Sequence, residues 1–411
     1  MNQTQNNLGK ISIECMMNPS NNNGLETMKV TSLELKDVGG IPNLKLENIN
    51  SQMNIICGEN GVGKTNILDS IAYIFSEYAN GGIIVKKGME SGAINLTTDD
   101  GEYSTAINSK NPVTNWLGIS VNNSVDRSNL LYLKTNRGID YQKLSNISSD
   151  KNINDSVKLN TNGVSKEDLK NWLIVRKGFS FENLTLTQKL NSELVSRCFS
   201  IINDEYSFSS AKTDFEVYVK TPSSNGNEMQ FELLSSGFKS VIFILVGIIK
   251  ELDIRFKDII PAAEYDGIIL IDEVELHLHP DWQSRICGVL KKIFPKAQFF
   301  ITTHSPHVVQ TAIQGEVIAL ERKENEVIQR DLPTSEYGYQ GWTVEEILED
   351  VMGMPDLRTR KYNDVKKRFD NALDSENKSE AQAAYDELDK MLHPHYPLRP
   401  VFRMQLDSLG E

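Results

Sequence analysis

Apolar and polar positions alternate in "KVTSLELKDV", which begins near Met28, and again in "NLKLENI", so both segments read as β-strands with one buried face. "MNIICG" follows as a third strand and runs into a glycine-rich stretch. Past that stretch, Ile67, Leu68, Ile71, Ile74 and Phe75 recur at i, i+1, i+4, i+7 and i+8, one face of a helix. From about residue 80 to 225 the pattern weakens. Within it, "KLSNISSDKNINDSVKLNTNGVSK" (Lys143 to Lys166) is rich in Asn, Ser and Asp with little to bury, and reads as a mobile loop inside an inserted lobe. Regularity returns with "MQFELLSSGFKSVIFILVGIIKEL" (strand, turn, helix), then "GIILIDE" (a buried strand). Next come a helix opened by Pro280, carrying Trp282, Ile286, Val289, Leu290 and Ile293, and the strand "AQFFITTHS". Buried strands alternating with amphipathic helices predict an α/β fold with a largely parallel sheet.

The tail reads as helical. Thr343 and Glu346 form a capping-box pattern ahead of Ile347 and Leu348. The stripes Val365, Phe369, Ala372 and Ala381, Ala384, Tyr385, Leu388, split by the polar "DSENK", predict a helical hairpin. No internal repeat is evident. The organisation expected is a flexible leader over residues 1–27, an α/β head over 28–80 and 225–330, an inserted lobe over 81–224, and a helical C-terminal region over 331–411.

Composition narrows the class. With 39% hydrophobic and 24% charged residues, the 411-residue chain has the balance of a soluble intracellular protein with a sizeable core. The longest apolar run, "VIFILVGII" from Val241 to Ile249, is too short to span a bilayer, so no membrane partner is expected. The Asn-rich start lacks the basic and apolar regions of a secretory signal, which predicts a cytoplasmic location. Cys15, Cys57, Cys198 and Cys287 have no short pair spacing and read as buried thiols. A net charge of −13 argues against a uniformly basic nucleic-acid coat, although a local basic face is compatible with it. The densest cluster, Arg358, Arg360, Lys361, Lys366, Lys367 and Arg368, reads as a solvated helix face.

Four motifs carry chemistry. "GENGVGKT" places Gly58, Gly63, Lys64 and Thr65 in the phosphate-loop pattern, between a strand and a helix as that motif requires. Asn60, Gly61, Val62, Gly63, Lys64, Thr65 and Asn66 are therefore the candidate nucleotide-binding residues, with Lys64 reaching the terminal phosphates and the Thr65 hydroxyl set for Mg²⁺. Ile268 to Ile271 end in Asp272 and Glu273. Asp272 is the candidate metal ligand and Glu273 the group that polarises the attacking water, an adjacent pair that favours hydrolysis of ATP. His304, at the end of the next strand in "ITTHSPH", is the candidate γ-phosphate sensor. Finally, "LLSSGFKS" puts Ser235, Ser236 and Gly237 ahead of a long helix, a second anion-ready N-terminus. His277 and His279 stand two apart beside acids, but an extended segment explains their alternation better than zinc does.

Taken in order, "GENGVGKT", "LSSGFKS", "ILIDEVELHLHP" and "ITTHSPH" closely resemble the ATP-binding-cassette ATPases of the SMC and RecF type. With "LHLHP" and "YLKTNRG" (Tyr132 to Gly138), the chain looks most like the bacterial antiphage-defence ATPases, the PtuA subunits of Septu systems and related retron-associated ATPases. The resemblance covers about residues 28–80 and 225–330. It implies an ABC-type head with ATP and Mg²⁺ as cofactors that dimerises on ATP, or builds larger assemblies from that dimer. Ser235, Ser236 and Gly237 would then contact the γ-phosphate of the opposite subunit, and Glu275 to Pro280 would line the seam. It also implies a separate effector chain, a nuclease. The candidates for a glutamine loop are Gln142 and the pair Asn136 and Arg137. Two rivals stand beside this expectation. A RecF-like DNA-repair clamp would bind nucleic acid directly, and a transporter-type ATPase would need a coupling surface in the inserted lobe.

Overall fold

The computed structural model describes residues 28–76, 83–108, 125–137, 143–150, 164, 167–179, 184–202, 204–212, 214–221, 227–324, 326–333, 335–354 and 356–410. The leader over residues 1–27, Cys15, Gln142 and residues 151–163 of the inserted loop lie outside the described residues.

A six-stranded sheet forms the centre, in the order β13 (Glu326–Gln329), β12 (Val317–Lys323), β3 (Met53–Gly58), β11 (Gln298–Thr302), β10 (Ile268–Ile271), β6 (Leu130–Leu133). All neighbours are parallel except β13 against β12. Strands β3, β6, β10 and β11 are buried at every position, as parallel strands covered on both faces must be. Their side chains alternate between two cores. Met53, Ile55 and Cys57 of β3 face the layer holding the long helix Ser236–Arg255, whereas Ile56 faces the layer holding helix α1 (Lys64–Ile74). A second, antiparallel sheet closes the α1 layer, in the order β2 (Ile41–Leu46), β1 (Val30–Val38), β4 (Ser91–Thr98), β5 (Glu102–Asn108). The α/β class, the parallel core of the sheet and the phosphate loop between strand and helix are as the periodicity predicts, and antiparallel β13 makes the sheet mixed, as the resemblance to an ABC-type head implies.

The inserted segment differs from its reading. Strands β4 and β5 extend the antiparallel sheet and β6 is the edge of the central one, so parts of residues 81–224 are woven into the head. Their signal is thin: the buried positions of β4 are Gly92, Ile94, Leu96 and Thr98, and β6 is only Leu130–Leu133. The remainder holds helices Glu167–Ile174 and Leu186–Ile202 and a small sheet of β7 (Ser207–Ala211), β8 (Val217–Lys220) and β9 (Glu228–Gln230). This lobe is clamped to the helix Ser236–Arg255 through buried Asp253. That carboxylate accepts from Trp172 Nε1 at 3.1 Å, Arg176 Nε at 2.8 Å and Asn191 Nδ2 at 2.9 Å.

The apolar run Val241 to Ile249 lies buried within that helix, and no helix among the described residues is long and apolar enough to cross a membrane. The helix expected after Pro280 is two helices, Pro280–Gln283 and Ile286–Ile293. Ser284 ends the first by donating its hydroxyl to the Asp281 carbonyl at 2.8 Å. At the C-terminus, Thr343 and Glu346 make both bonds of the capping box. The hairpin Arg360–Asp374 and Lys378–Met391 is joined by a third helix, Arg399–Asp407, which the prolines around it obscure in sequence. Phe402 and Leu406 of this helix complete a separate core with Val365, Phe369, Ala381 and Leu388.

Candidate functional site

At the end of β3 the backbone turns at Gly58 with φ 136°. A Cβ there would lie 2.3 Å from the Leu320 carbonyl oxygen, so only glycine lets the loop leave the sheet beside β12. Gly63, at φ 114°, opens α1 without a side-chain cap, which leaves the first-turn amides for an anion. Glu59, Asn60, Gly61 and Thr65 are exposed, Gly63 and Asn66 half-buried, and Val62 buried. Lys64 is buried and its Nζ folds back onto the loop, donating to the carbonyls of Gly58 at 2.9 Å and Glu59 at 3.0 Å. Burial lowers the Lys64 pKa, opposed by Cys57 and by the carboxylates of Glu275, Asp272 and Glu273.

Those carboxylates arrive from β10. Asp272 is held by its own N–H, which donates to the Leu133 carbonyl at 2.9 Å. Its side chain accepts from Thr65 Oγ1, at 3.1 Å to Oδ1 and 3.3 Å to Oδ2, and from Thr302 Oγ1 at 2.6 Å. The next residue, Glu273, turns into the left-handed region at φ 48°, and its N–H donates to the same Thr302 hydroxyl at 2.7 Å. Glu275 accepts from Thr303 Oγ1 at 2.8 Å and from the His304 N–H at 2.5 Å. Partial desolvation of the His304 ring, then the Lys64 ammonium, lower its pKa below 6.5. Beneath the turn lies Arg137, 1% exposed, whose guanidinium donates to the carbonyls of Asp272 and Glu273 and, at 3.4 Å, of Val274.

The structure therefore brings together Lys64, Thr65, Asp272, Glu273 and His304, which approach from the ends of three adjacent strands. Thr65 and Asp272 fit a Mg²⁺ bound mainly through phosphate and water, because a hydroxyl and a carboxylate already converge within hydrogen-bond range. Among the described residues no group of three His, Cys, Asp or Glu side chains forms a protein-only cage. Thr302 and Thr303 lie within "ITTHSPH" and Glu275 within "ILIDEVELHLHP", but read as sequence the threonines have no role and Glu275 has only its place at the seam. Arg137, considered only as part of a glutamine loop, takes instead a place under the acidic turn.

Ser235, Ser236 and Gly237 lie elsewhere. Ser235 caps the helix Ser236–Arg255 by accepting from the Phe238 N–H at 3.3 Å. Both serines are exposed, and among the described residues no hydrogen bond joins them to the phosphate loop of the same chain. Instead the helix start leans on the segment after the acidic pair. Ser240 Oγ donates to the Leu276 carbonyl at 3.0 Å, and a Cβ at Gly237 would lie 3.2 Å from the His277 carbonyl. The basic cluster is largely engaged internally: Lys361 and Arg368 both meet Glu387, and Lys366 pairs with Asp370. The thiols of Cys57, Cys198 and Cys287 are buried, each pushed up to about 12, and so are unreactive at neutral pH.

Comparison with known proteins follows the same residues. The family described as "AAA domain, putative AbiEii toxin, Type IV TA system" (AAA_21) matches residues 53–310. A Septu protein PtuA from Bacillus thuringiensis is 41% identical over 401 residues, covering 93% of this chain and 98% of that protein. A retron Ec83 probable ATPase from Escherichia coli is 29% identical over 143 residues, 35% of this chain and 25% of that one. Among solved structures, the SMC head domain from Thermotoga maritima covers 74% of this chain at 15% identity with a TM-score of 0.45, and all of that domain is matched. With the phosphate loop and the acidic strand end inside the matched span, the chain belongs to the AAA_21 family of AAA-domain ATPases and, at 41% identity over nearly its whole length, to the Septu PtuA proteins.

Proposed function

We propose that this ATPase is an association switch: two copies close around ATP, each completing its partner's site, and hydrolysis releases them. The observation that carries this reading is the division of the site. The phosphate loop and the acids converge within one chain, whereas Ser235 and Ser236 are exposed at a helix start in the other layer, next to exposed Leu233. A helix N-terminus with two hydroxyls suits a phosphate that the same chain does not present to it.

In this scheme Lys64 exchanges the Gly58 and Glu59 carbonyls for the terminal phosphates, whose charge adds to that of the nearby carboxylates in offsetting the cost of burying the ammonium. Thr65 and Asp272 hold Mg²⁺, which when bound neutralises charge that develops on the phosphates. Glu273 orients the attacking water and accepts its proton, while the Thr302 hydroxyl fixes both acids by bonding to each. His304 reads the γ-phosphate from the neighbouring strand end.

The biological role we infer is regulation within an antiphage defence system, with a separate effector chain, a nuclease, carrying out the destructive step. The likeness to Septu PtuA over nearly the whole chain supports it, and the retron ATPase likeness agrees. The test of the switch is sedimentation with ATP and Mg²⁺. Glu273→Gln should retain ATP and accumulate as dimer, whereas Ser236→Arg should bind ATP yet remain monomeric. A Ser236→Arg protein that dimerises normally on ATP removes the trans role. Co-purification from the native operon then identifies the effector, and a preparation that carries no partner chain counts against one.

A further inference from the structure

After β10 the backbone leaves the sheet through an unfavourable turn. Glu273 sits at φ 48°, a region that costs a bulky residue energy unless its surroundings impose it. The N–H groups of this turn are fixed by neighbouring strands: Asp272 to the Leu133 carbonyl, Glu273 to Thr302 Oγ1, and Val274 to the Thr302 carbonyl at 3.0 Å. Its carbonyls are gathered differently. Those of Asp272, Glu273 and Val274 all accept from the one guanidinium of Arg137.

Arg137 follows edge strand β6, whose Leu133 is in register with Ile271, so its side chain crosses beneath the end of β10. It is buried, and among the described residues its Nε has no hydrogen-bond partner, so the guanidinium is committed chiefly to the carbonyl contacts. Burial pushes its pKa down to about 10, opposed by Glu275, Asp272 and Glu273, and it remains a cation at neutral pH. Three carbonyl dipoles converging on one point repel one another, and a planar cation offsets that repulsion. A fork of donors spans several acceptors where an ammonium serves as a point charge.

We infer that Arg137 is a positioning residue for ATP hydrolysis, setting the backbone that aims Glu273 and Asp272, and that a lysine cannot replace it. The inference rests on the proposed roles of Glu273 and Asp272. Misplacement of a reacting group by about 1 Å costs on the order of 10²-fold in rate. Loss of the fork should therefore appear in kcat and leave nucleotide affinity nearly untouched, since among the described residues Arg137 bonds no residue of the phosphate loop.

The experiment compares full-length Arg137→Lys, Arg137→Gln, Glu273→Gln and the parent. Affinity comes from titration with a fluorescent ATP analogue. Hydrolysis is measured in single turnover per bound nucleotide, so that unfolded chains do not count. Arg137→Lys and Arg137→Gln are expected to bind within about threefold of the parent and to hydrolyse about 10²-fold more slowly. A parental single-turnover rate in Arg137→Lys overturns the inference. So does loss of affinity by the same factor as rate, or loss of all nucleotide binding in both variants, because the role is then structural. Glu273→Gln separates the two readings: a parental rate there removes the base assignment, whereas a slow Glu273→Gln beside a parental Arg137→Lys removes only the Arg137 inference.

Discussion

Thr302→Val isolates the hydroxyl that joins the two acids. Thr302 is 1% exposed, and valine has the same shape, so the substitution opens no cavity and acts through two hydrogen bonds. One is donated to the Asp272 carboxylate at 2.6 Å, a charge-assisted bond worth about 1.5–3 kcal/mol. The other is accepted from the Glu273 N–H at 2.7 Å, and leaving that group unsatisfied costs about 1–3 kcal/mol. Together they bound the perturbation at about 2.5–6 kcal/mol. Taking about 3 kcal/mol and roughly 2–4 °C per kcal/mol for a domain of this size, thermal unfolding of the head should move down by about 6–12 °C. If half of the perturbation is expressed at the transition state, hydrolysis slows by about tenfold, since 1.36 kcal/mol is a factor of ten. Thr302→Ser keeps the hydroxyl and should retain most activity. The measurements are calorimetric unfolding and phosphate release under saturating ATP. Parental values of both in Thr302→Val would refute the claim that this hydroxyl holds the acids in place.

Lys64→Ala should abolish nucleotide binding in isothermal titration, and undiminished affinity would remove the phosphate-loop assignment. For His304 the folded pKa lies below the 6.5 of the unfolded chain. Around and below pH 6.5 the unfolded state then binds more protons, so the stability present above the unfolded pKa is lost on acidification towards the folded pKa, and the dependence fades as pH rises above 6.5. His304→Asn should accordingly lose less stability than the parent between pH 7 and about pH 5.5 in urea titrations; identical slopes would count against the shift. Phe369→Ala, in the C-terminal core, should cost about 3–5 kcal/mol there and speed proteolysis of residues 360–407, with ATP affinity unchanged. Equal loss of ATP binding would show that the helical unit and the head are not separable.

What the chain reveals before folding depends on how local each signal is. The phosphate loop is legible because Gly58 to Thr65, the strand before them and the helix after them are contiguous. Asp272 and Glu273 are legible because four apolar residues deliver them to a strand end. Arg137 and Thr302 sit inside the motifs "YLKTNRG" and "ITTHSPH" but acquire these contacts only when β6, β10 and β11 align, with partners 135 and 30 residues away, which no local pattern shows. Strands β4 and β6 were hidden for a related reason. Small and polar residues at buried positions of β4, and the brevity of β6, leave periodicity too little to count, and the neighbouring strands stabilise them instead.

The three C-terminal helices enclose their own core, formed by Val365, Phe369, Ala381, Leu388, Phe402 and Leu406, which among the described residues is separate from the two cores of the head. Selection can therefore act on the two at different speeds. The outer faces of this unit can change without disturbing either core, while the residues of the phosphate loop and acidic turn stay constrained by their packing. Exchanging that unit between homologues should therefore leave ATP affinity and the hydrolysis rate unchanged.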